Sequence, residues 1–155
     1  MDMKTLKCYM RAFLSLVFLF NIVSPVSAAE QPDLMIESFS APAAATQTEI
    51  ISQKITITVK NIGESEAKDF IVAVILKGTV VNPGWPTQYH VLGSGTVVSL
   101  KERQSATVTL QSFSAGTIVP PKQYEICAIA DESKKVNESD ENNNWSKCQS
   151  IDIKP

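Results

Sequence analysis

What most constrains this chain is an alternation of apolar and polar side chains, cut by turn formers about every ten residues, with no sustained helical period. Ile55, Ile57 and Val59 alternate with Thr56, Thr58 and Lys60, so that segment must bury one face and wet the other. Asn61-Ile62-Gly63 ends it with residues that tolerate the backbone of a turn. Leu34, Ile36 and Ser38 share one face of an earlier strand, and Ala106, Val108 and Leu110 alternate with Thr107, Thr109 and Gln111. Phe70 to Leu76 is apolar throughout, which predicts a central strand covered on both faces. Pro120-Pro121 breaks the chain, Tyr124 to Asp131 forms another strand, and Asn144 to Ile153 forms the last. Six or seven short strands without helices predict an all-β, antiparallel β-sandwich, with a small barrel as the other closure available.

The first 28 residues stand outside this pattern. Lys4, Lys7 and Arg11 precede an apolar run from Ala12 to Phe20, and Val26-Ser27-Ala28 offers small residues for cleavage. The expectation is a secretory signal peptide over 1–28 and one mature domain over 29–155. An uncleaved membrane anchor competes, but the run stops at Asn21, short of what about 30 Å of hydrocarbon requires. No cysteine follows the apolar run to take a lipid, and Ile153-Lys154-Pro155 follows the last strand with no sign of a C-terminal anchor. The expected location is therefore periplasmic or extracellular. Removing Met1 to Ala28 takes three of 14 basic residues and one of 16 acidic ones, leaving 11 against 15, a net charge of -4. A binder that works by neutralising phosphates needs a basic surplus, so nucleic acid is not an expected partner.

Cys8 leaves with the leader, and Cys127 and Cys148 remain. In an oxidising compartment two cysteines most simply pair, the alternative being two unrelated buried thiols. A disulfide across an antiparallel ladder sets Tyr124 opposite Ile151 and Asp131 opposite Asn144, closing a hairpin over 132–143. That register puts Lys147 and Gln149 on the face of Ile126 and Ala128, so a bulge or a partly exposed edge strand is expected. With one histidine and so few cysteines, the usual ligands of zinc, haem and iron-sulfur clusters are scarce, and no cofactor is expected.

Several segments together resemble a known family. Pro32-Asp33-Leu34, the run from Ile55 to Gly63, Pro120-Pro121 before Tyr124, and Asp131 through Val136-Asn137-Glu138-Ser139-Asp140-Glu141-Asn142-Asn143 are similar to the CARDB domain, a cell-adhesion-related domain found in bacteria. The resemblance implies an immunoglobulin-like sandwich of about seven strands and an exported setting, with little chemistry. Two features depart from it. Gly78 to Gly95 is longer than the family's usual connection, and the cysteine pair is not part of its general pattern. CARDB domains usually occur as repeats or appendages of larger exported proteins, whereas here the expectation is a single module behind the leader.

Candidate chemistry is sparse. His90 with Ser94, Ser99 or Asp69 has the residue types of a hydrolytic triad, but no nucleophile-elbow context surrounds them, so His90 reads as a strand or loop residue with a solvated ring. The loop holding Asp131, Glu132, Glu138, Asp140, Glu141 and Asn142 to Asn144 offers many hard oxygens, as calcium requires, yet lacks EF-hand order. Short polar side chains of this kind brace a turn by bonding nearby backbone N–H groups. Asp131, Asn137, Glu138, Asn142 and Asn143 are therefore read as a structural loop with no metal. Asn137-Glu138-Ser139 and Asn144-Trp145-Ser146 match the glycosylation acceptor pattern, which a bacterial source would leave unused.

Asn82-Pro83-Gly84-Trp85-Pro86 surrounds an indole with turn formers, and Tyr89 follows closely. Trp85 and Tyr89 are thus the candidate binding residues, a stiff apolar surface for a protein or a cell-surface glycan, unless Trp85 folds back to plug the sandwich. The reading that results is an exported, non-catalytic binding or adhesion module. A structural accessory subunit of an exported or envelope complex is the alternative, and a secreted hydrolase a distant third.

Overall fold

Eight strands form among the residues that the computed structural model describes, 30–77, 89–116, 119 and 121–155. They are β1 (Leu34–Ser40), β2 (Ala44–Thr46), β3 (Thr56–Asn61), β4 (Ala67–Lys77), β5 (Tyr89–Leu100), β6 (Ser105–Thr107), β7 (Lys122–Ala130) and β8 (Gln149–Lys154). The expected leader over 1–28 and the expected binding residue Trp85 lie outside the described residues. One sheet has the order β1-β3-β6 and the other β2-β8-β7-β4-β5, giving the immunoglobulin-like sandwich. One pairing breaks the antiparallel rule: β2 runs parallel to β8, a three-residue edge on the larger sheet.

The sequence periodicity explains the core. Ile57 and Val59 of β3 meet Phe70, Val72, Val74 and Leu76 of β4, Ile126 and Ala128 of β7, and Ile151 and Ile153 of β8 in one buried cluster. Each large side chain there contributes about 1.5–3 kcal/mol by leaving water. β4 lies between β5 and β7, as its unbroken apolar run predicts, and Val72 through Leu76 are buried on both faces, while Ile71 departs from the expectation and is exposed. β1 departs from the expectation at one point. Its register against β3 shifts between Ile36 and Ser38, so Ser38 is exposed and Phe39 takes the inward place. One extra residue in a strand flips every side chain beyond it.

β5 was not anticipated as a strand, because Gly93-Ser94-Gly95 hides its alternation. Those glycines have a steric reason. A Cβ at Gly93 would fall 2.1 Å from the Phe113 ring, and one at Gly95 would fall 2.4 Å from the Thr109 carbonyl oxygen. The chain that crowds them is the segment expected to be a strand from Ala106 to Leu110, together with Phe113 just beyond it. It pairs with β3 only as far as Thr107, and the Val108 N–H then donates to Ile57 O at 2.9 Å. Three residues on, the Gln111 N–H donates to Ser94 O at 3.0 Å, so the backbone changes sheets across β5.

The last two strands confirm the disulfide and half of its register. Cys127 and Cys148 are bonded, with Cα atoms 4.4 Å apart, and Tyr124 pairs with Ile151 as expected. Nearer the loop the register moves by one. Ile129 bridges Trp145, and the Ala130 N–H donates to Asn144 O, so Asn144 faces Ala130 rather than Asp131. The extra residue lies in Ser146–Cys148 and is the bulge that the awkward position of Lys147 foretold.

Candidate functional site

Alternation leaves Ala73 and Ile75 of β4 and Cys127 and Ile129 of β7 on the outer face of the larger sheet, where they form a second buried cluster. An apolar outer face must be covered, and Tyr89, Trp145 and Cys148 cover it. Tyr89 is set there as the first residue of β5, and Trp145 by the bulge and the disulfide. Their rings meet edge to face with centroids 5.8 Å apart. The Lys77 Nζ sits 4.3 Å from the Trp145 ring centroid, a cation on the indole face. The Tyr89 hydroxyl donates to Glu132 Oε1 at 3.3 Å, and burial together with that carboxylate pushes the phenol above its ordinary range. Beyond this cap the same outer face exposes Ile71 (36%), Val91 (41%) and Val98 (70%).

Of the two expected binding residues, Tyr89 therefore lies half-buried at one edge of an apolar surface, and Trp85 lies outside the described residues. Trp145 was missed. Regular alternation over the three residues from Cys148 would turn it to the opposite face, and only the extra residue in Ser146–Cys148, which leaves no trace in composition, brings the indole onto the outer one.

The triad candidates do not assemble. His90 and Ser99 stand nine residues apart along β5, about 30 Å at strand rise, and Asp69 lies near Ser99, between the paired Lys68 and Phe70. Ser94, four residues along, is about 13 Å away. Burial lowers the His90 pKa and favours the neutral ring.

The acidic loop is tied to the first strand. Asp131 holds a left-handed backbone (φ 43°), and its Oδ2 accepts the Val136 N–H at 2.7 Å. Glu138 Oε2 accepts the Leu34 N–H at 2.5 Å, and its Oε1 accepts Asn144 Nδ2 at 2.9 Å. Asn143 Nδ2 donates to Asp33 Oδ1 at 2.6 Å, and Ser139 Oγ to Asp33 Oδ2 at 2.8 Å. The Asn142 N–H donates to Asp140 Oδ1, while Asn137 is exposed and enters none of these bonds. Asp131 Oδ1 and Asn144 Oδ1 are buried without a protein donor. Among the described residues no three His, Cys, Asp or Glu side chains are grouped to hold a metal ion.

Burial raises the Glu138 carboxyl to about 7, and Glu141 and Asp131 add to the rise against the opposing bonds from Leu34 and Asn144. A carboxyl whose folded pKa exceeds its unfolded value contributes stability below the unfolded pKa of 4.5, lost as pH climbs through about 7. Glu138 should thus make the fold more stable near pH 5 than near pH 8, by roughly 2 kcal/mol. Thermal melts at both pH values, on the native protein and on Glu138→Gln, should show the difference shrinking in the variant. An unchanged difference would remove the assignment.

The CARDB family model matches residues 31–147. By structure the chain is similar to the CARDB domain of a Pyrococcus furiosus protein in complex with di-metal ions (TM-score 0.55, 22% identity, 82% of this chain and 97% of that one). A domain of a Methanosarcina acetivorans protein named for the cell surface is similar to the same degree (TM-score 0.55, 22% identity, 80% and 93%). A β-glucosidase from Erythrobacter marinus is similar over 79% of this chain but 16% of its own, at 12% identity and TM-score 0.50. At such identities the likeness is one of fold. No curated protein matches the sequence. No helix among the described residues is long and apolar enough to cross a membrane.

Proposed function

The chain belongs to the CARDB family, and from that premise we propose that it is an exported, non-catalytic binding or adhesion module for a protein or a cell-surface glycan. Export rests on reading residues 1–28 as a signal peptide. The absence of catalysis is supported by the spread of His90, Ser99 and Asp69 along the sheet. The observation that carries the binding reading is the apolar outer face, where Ile71 and Val91 are exposed beside the Tyr89–Trp145 pair. Trp145 already has Lys77 on its ring, so the contact is assigned to Tyr89 and to Trp85, four residues before it in the chain.

Trp85→Ala should weaken retention of the partner from an envelope extract by about 2 kcal/mol, roughly 30-fold, and leave the melting temperature unchanged. An indole plugging the sandwich would instead lose about 3–5 kcal/mol of stability. Early melting, or normal melting with the partner still held, would sink the assignment.

We also read the 131–144 loop as a brace. The Pyrococcus domain carries di-metal ions, but in this chain both Glu138 oxygens accept protein N–H groups. Chelation should leave the melting temperature where it was, whereas Asn143→Ala should cost about 1 kcal/mol through the lost bond to Asp33. A large drop on chelation would favour a calcium site.

A structural accessory subunit remains the second reading, favoured by the uncharged outer strand β5. Recovery with a protein partner alone, and never with glycan, distinguishes it.

A further inference from the structure

The larger sheet ends at β5, a twelve-residue strand with no charged residue and no proline. Edge strands of soluble proteins normally carry lysine, proline, a bulge or a covering segment, because a bare row of N–H and C=O groups invites another strand. The N-terminal part of β5 has two such devices. Its register against β4 shifts at Val74/Ile75, and Ser94 O is taken by the Gln111 N–H. Thr96-Val97-Val98-Ser99 has neither, and the Leu100 O that follows accepts from Asn61 Nδ2 at 3.1 Å. The other outer strands are protected differently: β2 and β6 are three residues long, and β1 carries Glu37 at its bulge.

Val98 is also the most exposed of the large apolar side chains among the described residues, at 70%. It lies on the outer face, on the same side as Ile71. An occupant of this edge must supply an extended backbone, cover Val98 and bring no charge, since the strand offers none in return. The segment itself meets all three conditions.

We propose that Thr96–Leu100 of β5 pairs antiparallel with the same segment of a second copy of this chain, about a two-fold axis at Val98. Thr96 then faces the partner's Leu100, Val97 faces Ser99, and the two Val98 side chains cover each other. The two five-stranded sheets become one sheet of ten strands. The turn at Lys101–Gln104 takes the following charges out of the ladder, and Glu66 is held by Lys68 and Ser99 on its own copy. The interface is isologous and closes, so it yields a dimer and no fibre.

Sedimentation equilibrium of the mature chain from about 1 μM to about 1 mM tests this. The expected result is a dimer whose dissociation constant rises at least about tenfold in Val98→Lys, where two ammonium groups meet on the axis, while the fold and melting temperature stay unchanged. Ile50→Lys, at another exposed apolar position away from β5, should leave the dimer intact. Val98→Cys should cross-link to itself on mild oxidation. A monomer throughout the range, a dimer indifferent to Val98→Lys, or one equally weakened by Ile50→Lys overturns the proposal.

Discussion

Replacing Asn61 with alanine is expected to destabilise the fold by about 3–5 kcal/mol, a larger loss than most single substitutions cause. Asn61 ends β3, is fully buried, and has every hydrogen-bonding position of its amide filled. Its Oδ1 accepts the Asp33 N–H at 3.1 Å and the Gly63 N–H at 3.0 Å. Its Nδ2 donates to Ser65 O at 2.7 Å and Leu100 O at 3.1 Å. Alanine strands two N–H and two C=O groups, each costing about 1–3 kcal/mol when left buried, with relaxation reducing the sum. Asn61→Asp keeps the acceptors but loses the donors and buries a charge, so it should be at least as damaging. Urea unfolding near neutral pH measures both. A loss under about 1 kcal/mol for the alanine variant would show that the four segments hold together by other means.

The second large effect is expected from the disulfide. Cys127 and Cys148 close a loop at a sequence separation of 21, which the chain-entropy model values at about 3 kcal/mol. Cys127→Ala with Cys148→Ala should lose that amount. It should also loosen the bulged segment that carries Trp145, exposing Ile75 and Ile129 beneath it. The expected reporters are a lower urea midpoint and greater quenching of tryptophan emission. Thiol counting on the unreduced mature protein should find no free thiol, and finding two would defeat the prediction.

The parts of this fold that could be read in the sequence are those set by local periodicity. The alternation of Ile55, Ile57 and Val59 and the run Phe70–Leu76 gave their strands directly, because burial on one face or on both writes itself into the pattern. The pairing of Tyr124 with Ile151 could be read because one covalent bond sets it. What escaped depends on distant neighbours. Gly93 and Gly95 are small because Phe113 and Thr109 lie against them, so they carried a packing signal where an alternation signal was sought. The extra residues near Glu37 and in Ser146–Cys148 change which face a side chain takes without changing composition. Asn61 looked like a turn former, yet two of its four partners lie 28 and 39 residues away. Tyr89 stands out in the sequence only through its loop context and Trp145 only as part of an acceptor pattern; that the two rings together cap the outer face depends on neighbours far along the chain.

The bonds from the acidic loop to the first strand bear on when the molecule can fold. Leu34 waits for Glu138, 104 residues later, and Asp33 waits for Asn143, 110 residues later. A chain threaded through a membrane N-terminus first, as export would deliver it, emerges with its opening strand lacking these closing partners until nearly all of it has passed. Loop closure over such separations rewards nothing along the way. Were the chain exported in this way, premature folding on the near side of the membrane would be disfavoured for the same reason, since its first strand is completed by some of the last residues made.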